Sequence, residues 1–475
     1  MSIIFPIPCI TRVFTKINRL LIFLQKQKVK KGQCSKSAQY GYGKANLFLP
    51  SWFNLLCVTF TNGTQLNKMI QHKLPVLIAA GLCCIILLFS QCLQEQKQTR
   101  DPRGGAYAGP EKCAGCHREI YQSYISTAHA VSTRPASRQS IRGSFAKDSN
   151  RFVYHAGLEV SMQKREDGFY QAAYVHDTLR QAQRFDVVVG SGRKAQTYLY
   201  WQGDQVFQLP ISYFVPARSW VNSPNYPAHQ VRFDRNIPTG CFECHASFIP
   251  QTATSAAGER IVDHFDKAGL VYGIDCERCH GPAAHHADFH REHPEEKEGR
   301  FITAIKSLSR QKQVEGCAVC HSGINKTFQT IFSYEPGSEL SHYMNIDTSA
   351  VDKDSIDVHA NQYQLLRSSA CFLKSGGLDC SSCHNVHTNE RDDMALFSRR
   401  CMTCHNTASH NFCPLASRLG NKIENNCIDC HMPAQPSKLI TLLSQGQKAP
   451  TPDSVRTHFI AVYREETKKF MAAQR

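Results

Sequence analysis

The chain has 475 residues and carries 55 Lys and Arg against 39 Asp and Glu, a formal net charge of +16. Eleven of the positive charges lie in the first 94 residues, which contain no Asp or Glu, so the remainder holds 44 bases against 39 acids. This nearly balanced remainder argues against a nucleic-acid-binding protein, whose folded domain would be strongly basic.

The chain begins with a segment that does not resemble a domain. Residues 1–68 lack acidic side chains and show no regular hydrophobic period. We interpret them as an over-extended start or a disordered leader, with Met69 as the expected first residue.

Residues 69–92 have the three-part form of a secretory signal: a short polar start, the apolar run LPVLIAAGLCCIILLF and the sequence SQC. Cys92 stands where a lipoprotein signal is cleaved and acylated, although Gln91 departs from the small residue usual before that cysteine. An uncleaved anchor is the alternative, because the run at 74–89 is close to the shortest length that spans a bilayer. Both interpretations predict export, with a signal peptide or a membrane anchor.

The next segments are predicted to change from linker to helix to sheet. Residues 93–110 are polar with Pro and Gly, which is typical of a linker. Residues 111–140 contain a first Cys-His motif and a helical spacing in EIYQSYISTAHA. Residues 141–240 contain RFVYHAGLEVSMQKRE, GFYQAAYV, FDVVVG, QTYLYWQ and QVFQLPISYF, whose alternation and β-branched content predict a small antiparallel sheet at about 144–235.

Seven CxxC pairs occur in the chain, and each is followed at once by His. We number them motifs 1 to 7 in chain order: CAGCH at 113–117, CFECH at 241–245, CERCH at 276–280, CAVCH at 317–321, CSSCH at 380–384, CMTCH at 401–405 and CIDCH at 427–431. In c-type haem attachment the two thiols bond to the haem vinyl groups and the adjacent His ligates the iron, so this spacing predicts seven covalent haems c.

The predicted cofactor ligands follow from that assignment. The thiols are those of Cys113, Cys116, Cys241, Cys244, Cys276, Cys279, Cys317, Cys320, Cys380, Cys383, Cys401, Cys404, Cys427 and Cys430, and the iron ligands are His117, His245, His280, His321, His384, His405 and His431. A zinc or disulfide scaffold is the alternative for CxxC pairs, but an odd number of pairs and the constant His fit it poorly. Seven haems would add about two propionates each, leaving the holoprotein near neutral or acidic.

The remaining motifs crowd into residues 241–445, which we predict to be a six-haem core with few and brief helices. From residue 93 onward two cysteines lie outside the motifs, Cys371 and Cys413. They flank motifs 5 and 6, and a disulfide between them is one expectation for an oxidising compartment. The tail at 446–475 places acids three and four residues before lysines, which predicts a final exposed helix.

Several strings extend beyond the Cys-His pattern: YAGPEKCAGCHREIYQSY, VVGSGRKAQTYLYW, FDRNIPTGCFECHAS, GIDCERCHGP, CSSCHNVH and CIDCHMP. Through them residues 107 to 465 resemble the cytochrome c-552/c-554 family of multihaem c-type cytochromes. The resemblance implies electron transfer at the periplasm or cell surface through stacked, mostly bis-His haems. It also implies a mainly α and loop multihaem cytochrome c core, with the β-rich insertion at about 144–235, little regular secondary structure and a haem-packed interior.

The second ligand of each iron decides between electron transfer and small-molecule chemistry. The family pattern indicates five distal ligands: His129, His286, His359, His387 and His458. His285 is the immediate rival of His286, and His410 is a weaker candidate after motif 6. We expect His264, His290, His293 and His342 to be solvated, and His155 and His229 to make local hydrogen bonds.

The sequence therefore predicts an exported, membrane-tethered heptahaem cytochrome that carries electrons and binds no nucleic acid. Its partners would be redox proteins or a quinol-linked membrane complex, in the periplasm or at the cell surface. The alternative is a multihaem oxidoreductase that acts on a small nitrogen or sulfur species at one open haem, so the sequence leaves open whether the protein is an enzyme. Five distal candidates for seven irons keep that alternative open.

Overall fold

The computed structural model describes residues 101–258, 260–349, 351–352 and 354–473. The predicted leader at 1–68, the signal or anchor at 69–92 with Cys92, and the first part of the 93–110 linker lie outside the described residues. From Asp101 onward the chain forms one compact unit. Among the described residues, no helix is both long enough and apolar enough to cross a bilayer.

The strands belong to four antiparallel sheets. Their bounds are β1 Thr133–Pro135, β2 Arg151–His155, β3 Leu158–Arg165, β4 Gly168–Val175, β5 Thr178–Arg184, β6 Val187–Val189, β7 Ala195–Gln202, β8 Gln205–Gln208, β9 Ile211–Phe214, β10 Ser219–Asn222, β11 Arg235–Asn236, β12 Gln251–Ala257, β13 Arg260–Phe265, β14 Lys326–Thr327, β15 Met344–Asn345, β16 Ala434–Ser444 and β17 Thr451–Arg456. One sheet has nine strands, with the order β1-β6-β7-β9-β10-β16-β17 and with β8 and β11 branching from β7. Strands β2 to β5 form a four-stranded meander.

The helices are short, from 4 to 12 residues. Their bounds are α1 Pro110–Cys116, α2 Arg118–Tyr124, α3 Thr239–His245, α4 Cys276–His280, α5 Ala284–Glu292, α6 Arg310–His321, α7 Gln362–Arg367, α8 Ala370–Lys374, α9 Met394–Met402, α10 Ala416–Leu419, α11 Ile428–His431 and α12 Arg464–Ala473. The last of these lies within the tail where a helix was predicted.

Two faces of the nine-stranded sheet bury different partners. On one face Tyr198, Tyr200 and Trp220 share a hydrophobic cluster with Phe152 and Met162 of the four-stranded sheet. On the other face Leu199 and Val206 pack against α3 and its neighbours, through Phe242 and Phe265. Because side chains alternate along a strand, β7 contributes Tyr198 and Leu199 to opposite faces. The helix that carries motif 2 therefore packs against this second face of the sheet.

The prediction of a mainly α and loop core was wrong, because the β structure is larger and reaches beyond 144–235. Strand β1 comes from the first haem segment, the β12–β13 hairpin lies between motifs 2 and 3, and β16 and β17 follow motif 7. Strand β16 joins the large sheet by pairing Val221 with Ser444 and Asn222 with Leu443. This pairing joins residues more than 200 positions apart, so local periodicity could not reveal it.

Candidate haem-binding sites

Each motif lies on a single helical turn or at the end of a helix. Motif 1 ends α1, motifs 2 and 3 lie on α3 and α4, and motif 4 ends α6. Motif 5 begins on the 3-10 turn Cys380–Ser382, motif 6 follows from α9, and motif 7 lies on α11. In motif 1 the His117 amide donates to the carbonyl of Cys113 over 2.8 Å, which closes one turn. Such a turn places both thiols and the next imidazole on adjacent parts of one surface.

The motifs are neighbours in space, though not in the order of the chain. Helix α1 contacts α4, α3 contacts α6, α6 contacts the 3-10 turn of motif 5, and α9 contacts α11. Thiols of the contacting motifs are close enough to hydrogen-bond to each other. This hydrogen bonding raises the pKa of one thiol in each of four pairs: Cys113–Cys276, Cys244–Cys320, Cys317–Cys380 and Cys401–Cys427. Motif 4 therefore touches both motif 2 and motif 5.

Further contacts join these pairs of motifs. Burial and the charges of Cys317 and Cys320 raise the pKa of Cys279 to about 12, so motif 3 also lies near motif 4. The guanidinium of Arg400, in α9, donates to the carbonyl of Cys383 over 2.7 Å and links motif 6 to motif 5. All seven motifs are thus connected through their neighbours.

Four motif histidines face a second imidazole from another part of the chain. The ring centroids are 6.0 to 6.3 Å apart in the pairs His117–His286, His129–His321, His280–His387 and His384–His458. For motif 2 the proximity of His359 is only electrostatic: burial lowers the pKa of His245, and repulsion from His359 and His321 lowers it further. The structure thus brings each of the five predicted distal histidines to a different motif.

The ring separation in the first four pairs fits a shared metal ion. A metal–imidazole nitrogen bond is about 2.0–2.1 Å long, so two imidazoles on opposite sides of one ion have ring centroids roughly 6 to 6.5 Å apart. By contrast, the centroids of His286 and His290 are only 4.6 Å apart, which is too close for an ion between them. The residues present therefore fit bis-imidazole ligation of haem iron.

Burial keeps several of these imidazoles in the neutral form that can ligate a metal. It lowers the pKa of His129 and of His458 to about 4 in each case, with a further contribution from neighbouring imidazoles. The Nδ1 of His280 donates to the carbonyl of Thr303 over 3.0 Å, and that of His431 to Ala461 over 2.9 Å. Each contact leaves Nε2 as the nitrogen that is free to bind a metal.

Motifs 6 and 7 are the two motifs whose histidines have not been matched to a distal candidate. Burial lowers the pKa of His431, and repulsion from His405 lowers it further, so these two motif histidines lie near each other. Within the part of the chain that the structure describes, no second imidazole is placed opposite His405 or His431 at the separation of the four pairs. Nδ1 of His405 lies 3.4 Å from the carbonyl of Asn411, in the loop that carries His410. The described residues contain no group of three or more His, Cys, Asp or Glu side chains arranged around a metal.

The other predicted residues have ordinary environments. His285 stacks on Phe301 at 3.8 Å, so His286 and not its rival faces motif 1. His264 hydrogen-bonds Asp204 and Ser255, and His155 the carbonyl of Ala156. The expected Cys371–Cys413 disulfide is absent: both thiols are free.

Sequence reasoning did not identify two buried carboxylates inside the motifs. Glu243 of motif 2 is 6% exposed and accepts hydrogen bonds from Thr330 and Ile331, and Glu277 of motif 3 is 4% exposed. Acidic residues are rarely this buried. The only sequence feature that points to these two is that each lies between the two cysteines of a motif.

Comparisons with known proteins give one distant likeness. No protein-family model matches the chain. No curated protein matches it either. Among solved structures, the chain is similar to the outer cell wall cytochrome OcwA, with a TM-score of 0.46 and 17% sequence identity over 77% of this chain and 81% of that chain.

Proposed function

We propose that the protein is an exported heptahaem c-type cytochrome that carries electrons through mostly bis-His haems. The observation that carries the proposal is the set of four imidazole pairs, each of which joins a motif histidine to a histidine from a distant segment. Haem held between two imidazoles supplies one-electron redox chemistry. Membership of the cytochrome c-552/c-554 family is part of this proposal and is supported by the extended strings around the motifs.

The chain's own residues supply the framework. Paired thiols would hold each haem covalently, and the imidazole pairs would fix its orientation. The contacts that connect all seven motifs support a continuous arrangement of redox groups rather than isolated sites. Burial around His129 and His458 excludes water from the ligand positions, which favours fast transfer with little rearrangement.

An electronic spectrum of the reduced protein together with a ferric electron paramagnetic resonance (EPR) spectrum tests the proposal. We expect the narrow visible bands of c-type haem and a ferric signal dominated by low-spin iron. A colourless protein that contains zinc would contradict the haem assignment.

Export and tethering are further parts of the proposal, supported by the apolar run and Cys92. We infer a location in the periplasm or at the cell surface and a redox protein or quinol-linked complex as partner. Cys92→Ser should abolish acyl labelling and release the protein from the membrane fraction. Membrane association without acyl label in the unmodified protein would favour an uncleaved helix anchor instead.

A second candidate function rests on motifs 6 and 7. Because no partner imidazole is placed opposite His405 or His431 among the described residues, one of these haems could bind a small nitrogen or sulfur species. Carbon monoxide or nitric oxide added to the reduced protein tests this. Spectral changes in one or two haems would favour the oxidoreductase, and the absence of change would favour electron transfer alone.

A further inference from the structure

Arg103 lies at the centre of a buried ion-pair network between the segment before motif 1 and motif 3. Its guanidinium donates to Asp101 over 2.8 Å, to the two carboxylate oxygens of Asp275 over 3.1 and 2.6 Å, and to Glu277 over 3.2 Å. All four side chains are 9% exposed or less. The second half of the predicted linker is therefore fixed to the core.

Glu277 makes contacts beyond this network. One carboxylate oxygen accepts from the amides of Ala108 and Ala283, both over 2.8 Å, and the other accepts from the amide of Gly109 over 2.9 Å. Every hydrogen-bonding neighbour of Glu277 is a donor, which is the pattern of an ionised carboxylate.

Two of these donors begin the helices that carry one imidazole pair. Gly109 is the N-cap of α1, which leads into His117, and Ala283 is the N-cap of α5, which contains His286. A single carboxylate thus ties together the starts of both helices whose rings face each other across 6.3 Å. A shift of either helix start would change that separation.

The network also carries excess negative charge. Three carboxylates face one guanidinium, and the neighbouring cation Arg278 points elsewhere, to the carbonyls of Ile331 and Glu243. Burial alone would raise the pKa of Asp101, but hydrogen bonds from Arg103 hold that pKa below its ordinary value, so the charge persists. Buried negative charge is weakly screened and stabilises the more positive, oxidised form of a nearby redox group.

We propose that Glu277 is the positioning residue for the His117–His286 pair and that its buried charge lowers the reduction potentials of the haems at motifs 1 and 3. The inference rests on the proposed function, since it requires haem at both motifs.

Glu277→Gln in the mature holoprotein tests both parts. The amide retains the shape of the side chain but loses its charge and presents a donor to backbone amides, so at least one of its contacts is broken. We expect seven attached haems, a new high-spin EPR signal of up to one haem, and an upward shift of two components in a spectroelectrochemical titration. An unchanged spectrum and unchanged potentials would overturn the proposal.

Glu243→Gln is the matched control for the positioning role, because Glu243 is the equivalent buried spacer glutamate of motif 2 and its side chain accepts from Thr330 and Ile331 rather than from Gly109 or Ala283. It should leave the His117–His286 pair, and therefore the haem at motif 1, low-spin. In a Cys113→Ala/Cys116→Ala background, Glu277→Gln should give no high-spin signal and shift one component only. A high-spin signal that persists there would show that Glu277 acts on another haem.

If Glu277→Gln does not fold, Asp101→Asn tests the charge while leaving the Glu277 contacts intact. We expect the same two components to shift upward without a high-spin signal, and no shift would overturn the electrostatic part. A mature protein without covalent haem would contradict the proposed function. A seven-haem protein that Glu277→Gln leaves unchanged would contradict only the role of Glu277.

Discussion

The imidazoles of His280 and His387 are nearly parallel, with ring centroids 6.1 Å apart and an interplanar angle of 16°. His280 belongs to motif 3, whereas His387 follows motif 5 by three residues. Burial and repulsion from His280 lower the pKa of His387. His387 therefore lies opposite the histidine of motif 3 rather than that of its own motif, as expected from its short distance in sequence from His384.

Replacement of His387 by Ala should convert one low-spin haem to high-spin and leave seven haems attached, because the substitution removes one axial ligand but no thiol. The ferric EPR spectrum and the intact mass measure the two outcomes. His342→Ala is the control, since His342 is exposed and lies outside every imidazole pair. An unaltered low-spin spectrum in the His387 variant would show that this residue is not a ligand.

The adjacent residues His285 and His286 offer a second test of the pairing. His286 faces His117, whereas His285 stacks on Phe301. We expect His286→Ala to create a high-spin haem and His285→Ala to leave the spectrum unchanged, as measured by EPR and visible absorption. The reverse result would assign ligation to His285.

Gly143→Ala should destabilise the β structure without affecting haem attachment. A Cβ atom at Gly143 would clash with the Trp220 ring in the hydrophobic cluster between the two large sheets. Overpacking of this kind costs about 1–3 kcal/mol. Chemical denaturation monitored by tryptophan fluorescence should show the loss, and an unchanged midpoint would contradict the packing. The control is Gly376→Ala, because its Cβ would meet no atom within 4 Å and its φ is not positive; this variant should keep the original midpoint.

Glu390 and Arg400 should make a pH-dependent contribution to stability. Arg400 donates to both oxygens of Glu390 and to the carbonyl of Cys383, which connects motifs 5 and 6. Hydrogen bonding from Arg400 lowers the pKa of Glu390 from 4.5. The stabilisation is therefore present above about pH 4.5 and is lost as the pH falls through the folded-state pKa.

Glu390→Gln should accordingly lower the free energy of unfolding by about 1 kcal/mol at pH 7, the upper range for a partly exposed ion pair. Denaturation curves of both proteins at pH 7 and pH 3 measure the difference. The two curves should converge at the lower pH. A difference that is constant with pH would show that the carboxylate charge contributes nothing.

Sequence patterns predicted the structural features that depend on residues close together in the chain. Alternation in GFYQAAYV and QTYLYWQ predicts β4 and β7, and the Cys-His spacing predicts seven motifs on short turns. The extent of the large sheet was not predictable, because β10 and β16 pair across more than 200 residues. Propensity describes a residue and its neighbours, whereas this pairing depends on which surfaces the whole chain brings together.

The haem-binding sites show the same contrast between short-range patterns, which the sequence reveals, and long-range contacts, which it does not. The resemblance indicated His129 as a distal residue, but nothing near residue 129 specifies that its partner is His321, 192 positions away. The role of Glu277 was equally hidden, because its donors come from segments before motif 1 and after motif 3. Such contacts become visible only when the motifs are placed in space.

The covalent haem content of the mature protein tests the account most directly. Intact-mass spectrometry of protein produced in a host that attaches haem c should show seven haems, and Cys113→Ala/Cys116→Ala should leave six. These numbers follow because each motif supplies one pair of thiols and one axial histidine. Three or fewer haems in the unmodified protein would contradict the assignment of the motifs and the electron-transfer function built on it.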